Sequence, residues 1–227
     1  MRDMFHTVAP RYNFITRAFS YGMDRGWKRR LVERVELAKG ARVLDLASGT
    51  GDFSRLVEAR FPGCRAVAVD LTERMLRLAR AQGVRQAVCG DACRLPFADA
   101  AFDCVCIGYG LRNFPDLEKA LREIERVTMP GGVLVTLDFF LPANTVMRRL
   151  YLAYLYAQGV FWGFVLHGRP RVYTYIPDSL RDFVSIDDFS RRLQRVGYGE
   201  VRAQKCILGG IGLHWAAKRS CAAKGEE

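Results

Sequence analysis

The residues whose types and spacing could do chemistry begin in ARVLDLASGTGDF (41–53), where an apolar run breaks into Gly49-Thr50-Gly51. Glycines at such a break let the backbone close on a ligand. A phosphate-cradling loop needs Lys and Ser or Thr after its last glycine, and Gly51 is followed by Asp52. A dinucleotide fingerprint needs a third glycine where this chain has Ser54. Asp45 and Asp52 bracket the loop with negative charge, whereas a pyrophosphate wants bare amide donors at a helix N-terminus. The same charges favour a ligand with a cationic part. S-Adenosylmethionine, with its α-amino group and sulfonium, is such a ligand. Asp70 follows the loop by about 20 residues, the spacing at which an acid accepts from ribose hydroxyls, and Leu71 stands beside it. Asp91-Ala92 ends the next apolar run and is placed for an adenine amino group.

These residues need a scaffold that brings strand ends together. RVLDLA, CRAVAVD, QAVCGD, FDCVCIGYG and GGVLVTLDFF are short, continuous and rich in Val, Ile and Leu, as strands buried on both faces of a parallel sheet are. Between them DFSRLVEARF, TERMLRLARAQG and DLEKALREIERVTMPGG carry apolar residues at helical spacing. In the last, Leu117, Leu121, Ile124 and Val127 form one stripe, and Pro130-Gly131-Gly132 is expected to end the helix. The C-terminal EVRAQKCILGGIGLHWAAKR reads as two strands turning at Gly209-Gly210, a hairpin at the sheet edge. The expectation is an α/β fold, a doubly wound, mostly parallel seven-stranded sheet, in which ligands sit beyond the carboxyl ends of the strands. Residues 1–40 form an N-terminal helical cap and 142–197 a mainly helical substrate-side region, within one domain spanning 1–227.

The chain has 227 residues, 50% hydrophobic and 26% charged, an ordinary globular composition. The net charge of +11 is not ordinary and favours an anionic partner: nucleic acid, a membrane surface or an acidic substrate. Seven cysteines without a CxxC pair, and only three histidines, give no zinc-type cluster, so no metal is expected. The cysteines read as reduced, mostly buried thiols of a cytoplasmic protein, and the charged, proline-bearing start does not read as a secretory signal. The greasy stretch Leu150–Leu166 is too short to span a bilayer and is broken by Gln158 and two glycines. It is expected to be a buried or membrane-facing helix.

VLDLASGTGDF, GDACRLPFADAAFDCV, GYGLRNFPDLEKALREIERVTMPGG and LDFFLP together resemble the ubiquinone/menaquinone biosynthesis C-methyltransferase family. MFHTVAPRYNFITRAFSYGMDRGWKRRLV is similar to that family's N-terminal signature, and YTYIPDSLRDF and GGIGLH to its C-terminal elements, so the likeness is nearly full length. The resemblance implies a Rossmann-like class I methyltransferase fold and C-methylation of a prenylated naphthoquinol or benzoquinol. S-Adenosylmethionine is then the methyl donor and S-adenosylhomocysteine the product. Cofactor contacts carried over by position fall on Thr50, Asp70, Asp91-Ala92 and Gly108, with Asp45, Gly49 and Gly51 in the loop. Gly108 stands where many members have Ser, so only its backbone can contribute. Tyr12 is expected to close over the methionine part.

Such a reaction is an in-line displacement at the sulfonium methyl. It needs an electron-rich ring held about 3–3.5 Å away, a stabilised anion and a route for a proton. Arg112 is expected to stabilise the anion, since a guanidinium is a poor base. Asn113 would orient it, Tyr109 would stack on the ring, and His214 is the candidate proton acceptor. A prenylated quinol lives in a bilayer, so the aromatic helix with Arg148, Arg149, Arg169 and Arg171 at its flanks is expected to meet an anionic membrane transiently. That makes the protein cytoplasmic with peripheral membrane association. A homodimer stays open. The alternative is a methyltransferase for another small hydrophobic molecule or for nucleic acid. GYGLRNFPD, however, is neither an Asn/Asp-Pro-Pro-aromatic motif nor a Cys-Pro pair, so no nucleic-acid partner is expected. A non-catalytic binding module could lose the strand-end acids, which are all intact here.

Overall fold

The computed structural model describes residues 12–220, with the side chains of 12 and 13 excepted. Strands β1 (Arg42–Leu46), β2 (Arg65–Asp70), β3 (Gln86–Cys89), β4 (Phe102–Gly108) and β5 (Thr128–Phe139) pair in parallel. The hairpin β6 (Tyr198–Cys206) and β7 (Ile211–Lys218) completes a seven-stranded sheet of order β3-β2-β1-β4-β5-β7-β6, with β7 antiparallel to both neighbours. The doubly wound, mostly parallel sheet and its edge hairpin are those expected.

Alternation along the strands divides the core. Val43, Cys104, Cys106, Val135 and Trp215 face one side, where they meet Trp27 and Leu31 of α2 (Asp24–Glu33) and Phe53 and Val57 of α3 (Asp52–Arg60). The Trp215 indole N–H donates to the Leu31 carbonyl at 3.1 Å, which ties α2 to the hairpin. Leu44, Val105, Leu134 and Ala216 face the other side, against Leu121 and Ile124 of α5 (Leu117–Val127) and Phe189 and Leu193 of α8 (Ile186–Arg195). Both central strands are therefore apolar on two faces, which is why their sequences run without alternation. The remaining helices are α1 (Tyr12–Phe19), α4 (Glu73–Ala81), α6 (Thr145–His167) and α7 (Tyr175–Leu180).

One boundary differs. Helix α5 stops at Val127, and β5 starts at Thr128, ahead of the Pro-Gly-Gly expected to end the helix. Thr128 is β-branched and fully buried; its hydroxyl donates to the Ile124 carbonyl at 2.6 Å, and its backbone pairs with Phe102. A residue that satisfies the last turn with its side chain and the sheet with its backbone makes the switch without a loop.

Helix α6 is capped by Asn144, whose Oδ1 accepts from Val146 N at 2.9 Å and Met147 N at 3.0 Å. On its inward face Leu155, Gly159 and Gly163 are buried, and the two glycines let it close on the backbone of residues 169–174. Its opposite face is apolar and open, with Val146, Leu150, Tyr154, Phe161, Phe164 and Val165 all exposed, Phe164 at 67%. These positions recur at helical spacing and make one stripe. No helix among the described residues is long and apolar enough to cross a membrane.

A β-carbon on Gly163 would lie 2.7 Å from the Arg169 carbonyl oxygen and 2.8 Å from that of Pro170. Backbone cannot give way as a side chain does, so Gly163→Ala is expected to cost about 1–3 kcal/mol as overpacking. Urea unfolding checks this; an unchanged midpoint would mean that α6 does not rest on this turn.

Candidate active site

The sheet order places β1 and β4 side by side at the point where the chain reverses its winding, and a cleft of about 740 Å³ opens beyond their carboxyl ends. Its walls are the loops after β1, β2, β3 and β4, including Gly49, Asp70, Asp91, Tyr109 and Asn113. Two of these loops touch: a β-carbon on Gly110 would lie 2.5 Å from the Ala47 β-carbon. Ala47 (φ +54°) and Tyr109 (φ +60°) both hold left-handed backbone without being glycine. Such strain, on the order of 1 kcal/mol or more per residue, persists where the surroundings over-determine the conformation. Here the Tyr109 N–H is held by the Leu137 carbonyl at 2.7 Å.

The acids of the glycine loop do not act as their charges suggest. Asp45 is buried and accepts from Ser54 N at 2.8 Å and Ser54 Oγ at 2.7 Å, tying strand β1 to the first turn of α3. Burial pushes its carboxyl up to about 7, against the pull of the Ser54 bonds. Asp52 is paired with Lys28 at 2.7 Å and Arg55 at 2.6 Å. Contrary to the charge pattern of the loop, neither acid stands ready for a cation: Asp45 fastens the loop and Asp52 is already compensated. Gly51 caps α3 at φ +76°, and a β-carbon there would meet Val84 Cγ2 at 2.4 Å.

Asp70 is the acid that reaches the cleft. Oδ2 accepts from Gly49 N at 2.9 Å and Oδ1 from Thr72 N at 2.8 Å. Burial raises its affinity for a proton, and those backbone donors oppose it. The Thr72 hydroxyl is a third donor, which leaves one lone pair of the carboxylate for a ligand hydroxyl. Asp91 also lines the cleft, with Oδ1 accepting from Cys93 N at 2.8 Å, and Leu71 and Ala92 complete this end. Asn113 Oδ1 and Ser48 Oγ are buried without a hydrogen-bond partner among the described residues. Of the two, Asn113 lines the cleft, where its Oδ1 is open to a donor from a ligand or water.

Next to the cleft lies a polar cluster. Arg112, in a short 3-10 turn of residues 111–113, points its guanidinium into the protein and pairs with Asp138 at 2.6 Å, its side chain 4% exposed and that of Asp138 0%. Asp138 also accepts from Leu111 N at 2.7 Å and Phe139 N at 2.8 Å. Arg112 donates to the Tyr109 carbonyl at 3.1 Å and stacks over the Phe139 ring, 5.1 Å from its centroid. Tyr151 and Tyr175 adjoin the pair. Burial pushes both phenols up, with the Arg112 charge working against it, so both stay protonated and can donate. Tyr151 donates to the Gly210 carbonyl at 2.8 Å.

The cleft thus gathers Gly49, Asp70, Leu71, Asp91, Ala92, Tyr109 and Asn113. Thr50 is buried in the loop, with its carbonyl taken by Arg55 at 2.7 Å. Gly108 sits beside Phe53, whose Cε2 would be 2.9 Å from a β-carbon there, so this chain has filled the space of a side chain. The Tyr12 side chain lies outside the described residues. His214 is not brought to the cleft: it is fully buried between Phe140 and Phe189, with Nδ1 3.3 Å from Thr136 Oγ1 and Nε2 3.4 Å from the Ile186 carbonyl. A neutral imidazole in that packing is a core residue and has no path to a substrate proton. Asp138 and Tyr175 carried no expectation. Asp138 nevertheless ends its strand as Asp45 and Asp70 end theirs, and that position was the available signal.

The ubiE/COQ5 methyltransferase family matches the chain over residues 1–218. Demethylmenaquinone methyltransferase of Thermus thermophilus is 37% identical over 216 residues, covering 93% of this chain and 98% of that one. The ubiquinone/menaquinone biosynthesis C-methyltransferase of Geotalea daltonii is 34% identical over 221 residues, covering 92% of each. Among solved structures, a methyltransferase complexed with the Trm112 activator of Haloferax volcanii superposes with a TM-score of 0.72 at 18% identity, over 96% of this chain and 99% of that one.

Burial pushes the His214 imidazole down to about 4, from 6.5. The unfolded chain binds that proton below about pH 6.5 and the folded chain only below about 4. The stability this residue contributes is therefore whole above 6.5 and lost as pH falls towards 4, at up to about 1.4 kcal/mol per pH unit. Urea unfolding at pH 7.5 and 4.5 should show wild type losing about 2 kcal/mol more than His214→Gln on acidification. Equal losses would mean that the imidazole is not desolvated.

Proposed function

The chain belongs to the ubiE/COQ5 methyltransferase family, and from that premise we propose that it C-methylates the ring of a prenylated demethylnaphthoquinol, a late step in making menaquinone. It is an S-adenosylmethionine-dependent methyltransferase. The observation that carries the finer reading is full-length likeness to demethylmenaquinone methyltransferases, joined to a cleft with an acid and an unsatisfied amide on its walls.

The residues present fit the cofactor. Asp70 would accept from a ribose hydroxyl with its remaining lone pair, Asp91 and Ala92 would take the adenine, and the backbone of Gly49 to Gly51 would lie along the methionine part. When bound, S-adenosylmethionine supplies an electrophilic methyl group. The ring of Tyr109, tilted against Phe139 at 5.4 Å, offers a flat wall for a quinol. Asn113 Oδ1 accepts from a ring hydroxyl and fixes its orientation. Arg112 is compensated by Asp138, so it acts through directed N–H bonds more than through net charge. Tyr175, held protonated beside Arg112, is a further donor on that side, whereas the Tyr151 hydroxyl is already given to the Gly210 carbonyl. The proton acceptor is not His214, whose burial takes it out of reach of the ring.

The prenyl tail accounts for α6. Its exposed apolar stripe, with Arg148 and Arg149 at one end and Arg169 and Arg171 past the other, suits the boundary between acyl chains and headgroups. The enzyme works from that surface, and no helix among the described residues is long and apolar enough to span the bilayer.

Two measurements test this. Asp70→Ala should weaken S-adenosylmethionine binding by calorimetry at least tenfold, since each lost charge-assisted bond is worth about 1.5–3 kcal/mol; unchanged affinity removes the ribose assignment. Mass analysis after incubation with S-adenosylmethionine should show one methyl group added to a reduced, short-tailed demethylnaphthoquinol and none to its oxidised form. Methylation of the benzoquinol analogue alone, or of the oxidised quinone equally well, would contradict the substrate or the phenolate chemistry.

A further inference from the structure

A second pocket, of about 960 Å³, lies between α2 and α3 and shares no lining residue with the cleft. Its charges do not balance. The two acids in it are taken: Lys28 Nζ is 3.6 Å from Asp24 and 2.7 Å from Asp52, and Arg55 reaches Asp52 at 2.6 Å. Arg17, Arg25 and Arg29 remain, exposed on its wall and without an acid in ion-pair distance among the described residues. Arg25 and Arg29 are one turn apart on α2, and Arg17 faces them from the last turn of α1. Three guanidiniums gathered around one recess repel one another unless an anion joins them, and their planar forks match phosphoryl oxygens two at a time.

The neighbourhood says which anion. Arg17 is one turn from Phe14 on α1, and Phe14 packs edge-on against Trp162 of α6 with centroids 5.3 Å apart. Tyr21, just past α1, stacks on Tyr154 of α6. Phe14, Tyr21 and Met23 are themselves exposed, so α1 and the start of α2 extend the open apolar stripe of α6 up to the arginines. An apolar ridge bordered by a cationic recess has the layout of a bilayer boundary, acyl chain beside phosphate.

We propose that Arg17, Arg25 and Arg29 form a site for the phosphoryl group of an anionic lipid headgroup, which seats the open face of α6 on the membrane. This rests on the reading that the enzyme takes its substrate from a bilayer. The site sets the enzyme's orientation and its preference for anionic membranes; the apolar stripe supplies contact with any bilayer.

The full-length enzyme is sedimented with vesicles of phosphatidylcholine alone or of phosphatidylcholine with phosphatidylglycerol. Arg25→Gln/Arg29→Gln should lose about tenfold or more in affinity for the anionic vesicles. It should bind neutral vesicles and S-adenosylmethionine as wild type does. Arg85→Gln/Arg195→Gln, which removes equal charge elsewhere, should change anionic binding by no more than about twofold. Equal losses in the two pairs would reduce the effect to net charge and overturn the site. A parallel fall in S-adenosylmethionine affinity would make the pocket part of the cofactor site and overturn it too. Inorganic phosphate that binds wild type but not Arg25→Gln/Arg29→Gln, with vesicle binding unaffected by either, would assign the recess to a free phosphate and overturn the lipid. Wild type that sediments with neither vesicle overturns the membrane reading itself. Wild type that binds both, with Arg25→Gln/Arg29→Gln unchanged, overturns the headgroup site alone.

Discussion

A carboxylate with no exposed surface organises the β4–β5 side of the cleft. Asp138, near the end of β5, receives the Leu111 and Phe139 backbone N–H groups and the Arg112 guanidinium. Those bonds hold the 3-10 turn after β4 against β5, and that turn carries Asn113 into the cleft while Tyr109 is pinned before it. Removing one partner of such a buried pair typically costs about 3–5 kcal/mol, because the other charge is left without compensation. The pair is expensive to bury, and a hydrophobic replacement could stabilise the fold as well. Its use is placement: a donor fork, an amide and an aromatic wall are held in register by one acid.

The two ends of the cleft are built on the same device. Asp45 fastens the glycine loop through Ser54, Asp70 fastens it through Gly49 and its own loop through Thr72, and Asp138 fastens the β4 loop. In each case a strand-end carboxylate accepts backbone N–H groups of a loop that must bend sharply. Asp70 alone also opens to the cleft. The left-handed Ala47 and Tyr109, and the close approach of Gly110 to Ala47, show how tightly these loops are packed at the point where the sheet reverses.

Much of the fold was legible in the sequence because the strands are apolar runs and the helices carry clear stripes; the start of β5 was not, because Thr128 serves helix and strand at once. Asp70, Asp91, Tyr109 and Asn113 could be placed at the cleft from strand ends alone. The role of Asp52 could not, since Lys28 comes from a helix far along the chain and no local pattern announces the pairing. His214 looked chemical because imidazoles are scarce here, yet its neighbours Phe140 and Phe189 come from separate elements that only the fold unites. The Arg112–Asp138 pair has the same cause: the partners are distant in sequence and meet because β4 and β5 are adjacent.

The central claim is that Arg112 and Asp138 act on methyl transfer as one unit. A double-mutant cycle in kcat, with Arg112→Lys, Asp138→Asn and both together, tests it most directly. Each single variant should keep S-adenosylmethionine affinity and lose roughly 10²–10³ in rate, and the double variant should be little worse than the poorer single one. Losses that multiply, or a folded, cofactor-binding Asp138→Asn at the wild-type rate, would contradict it.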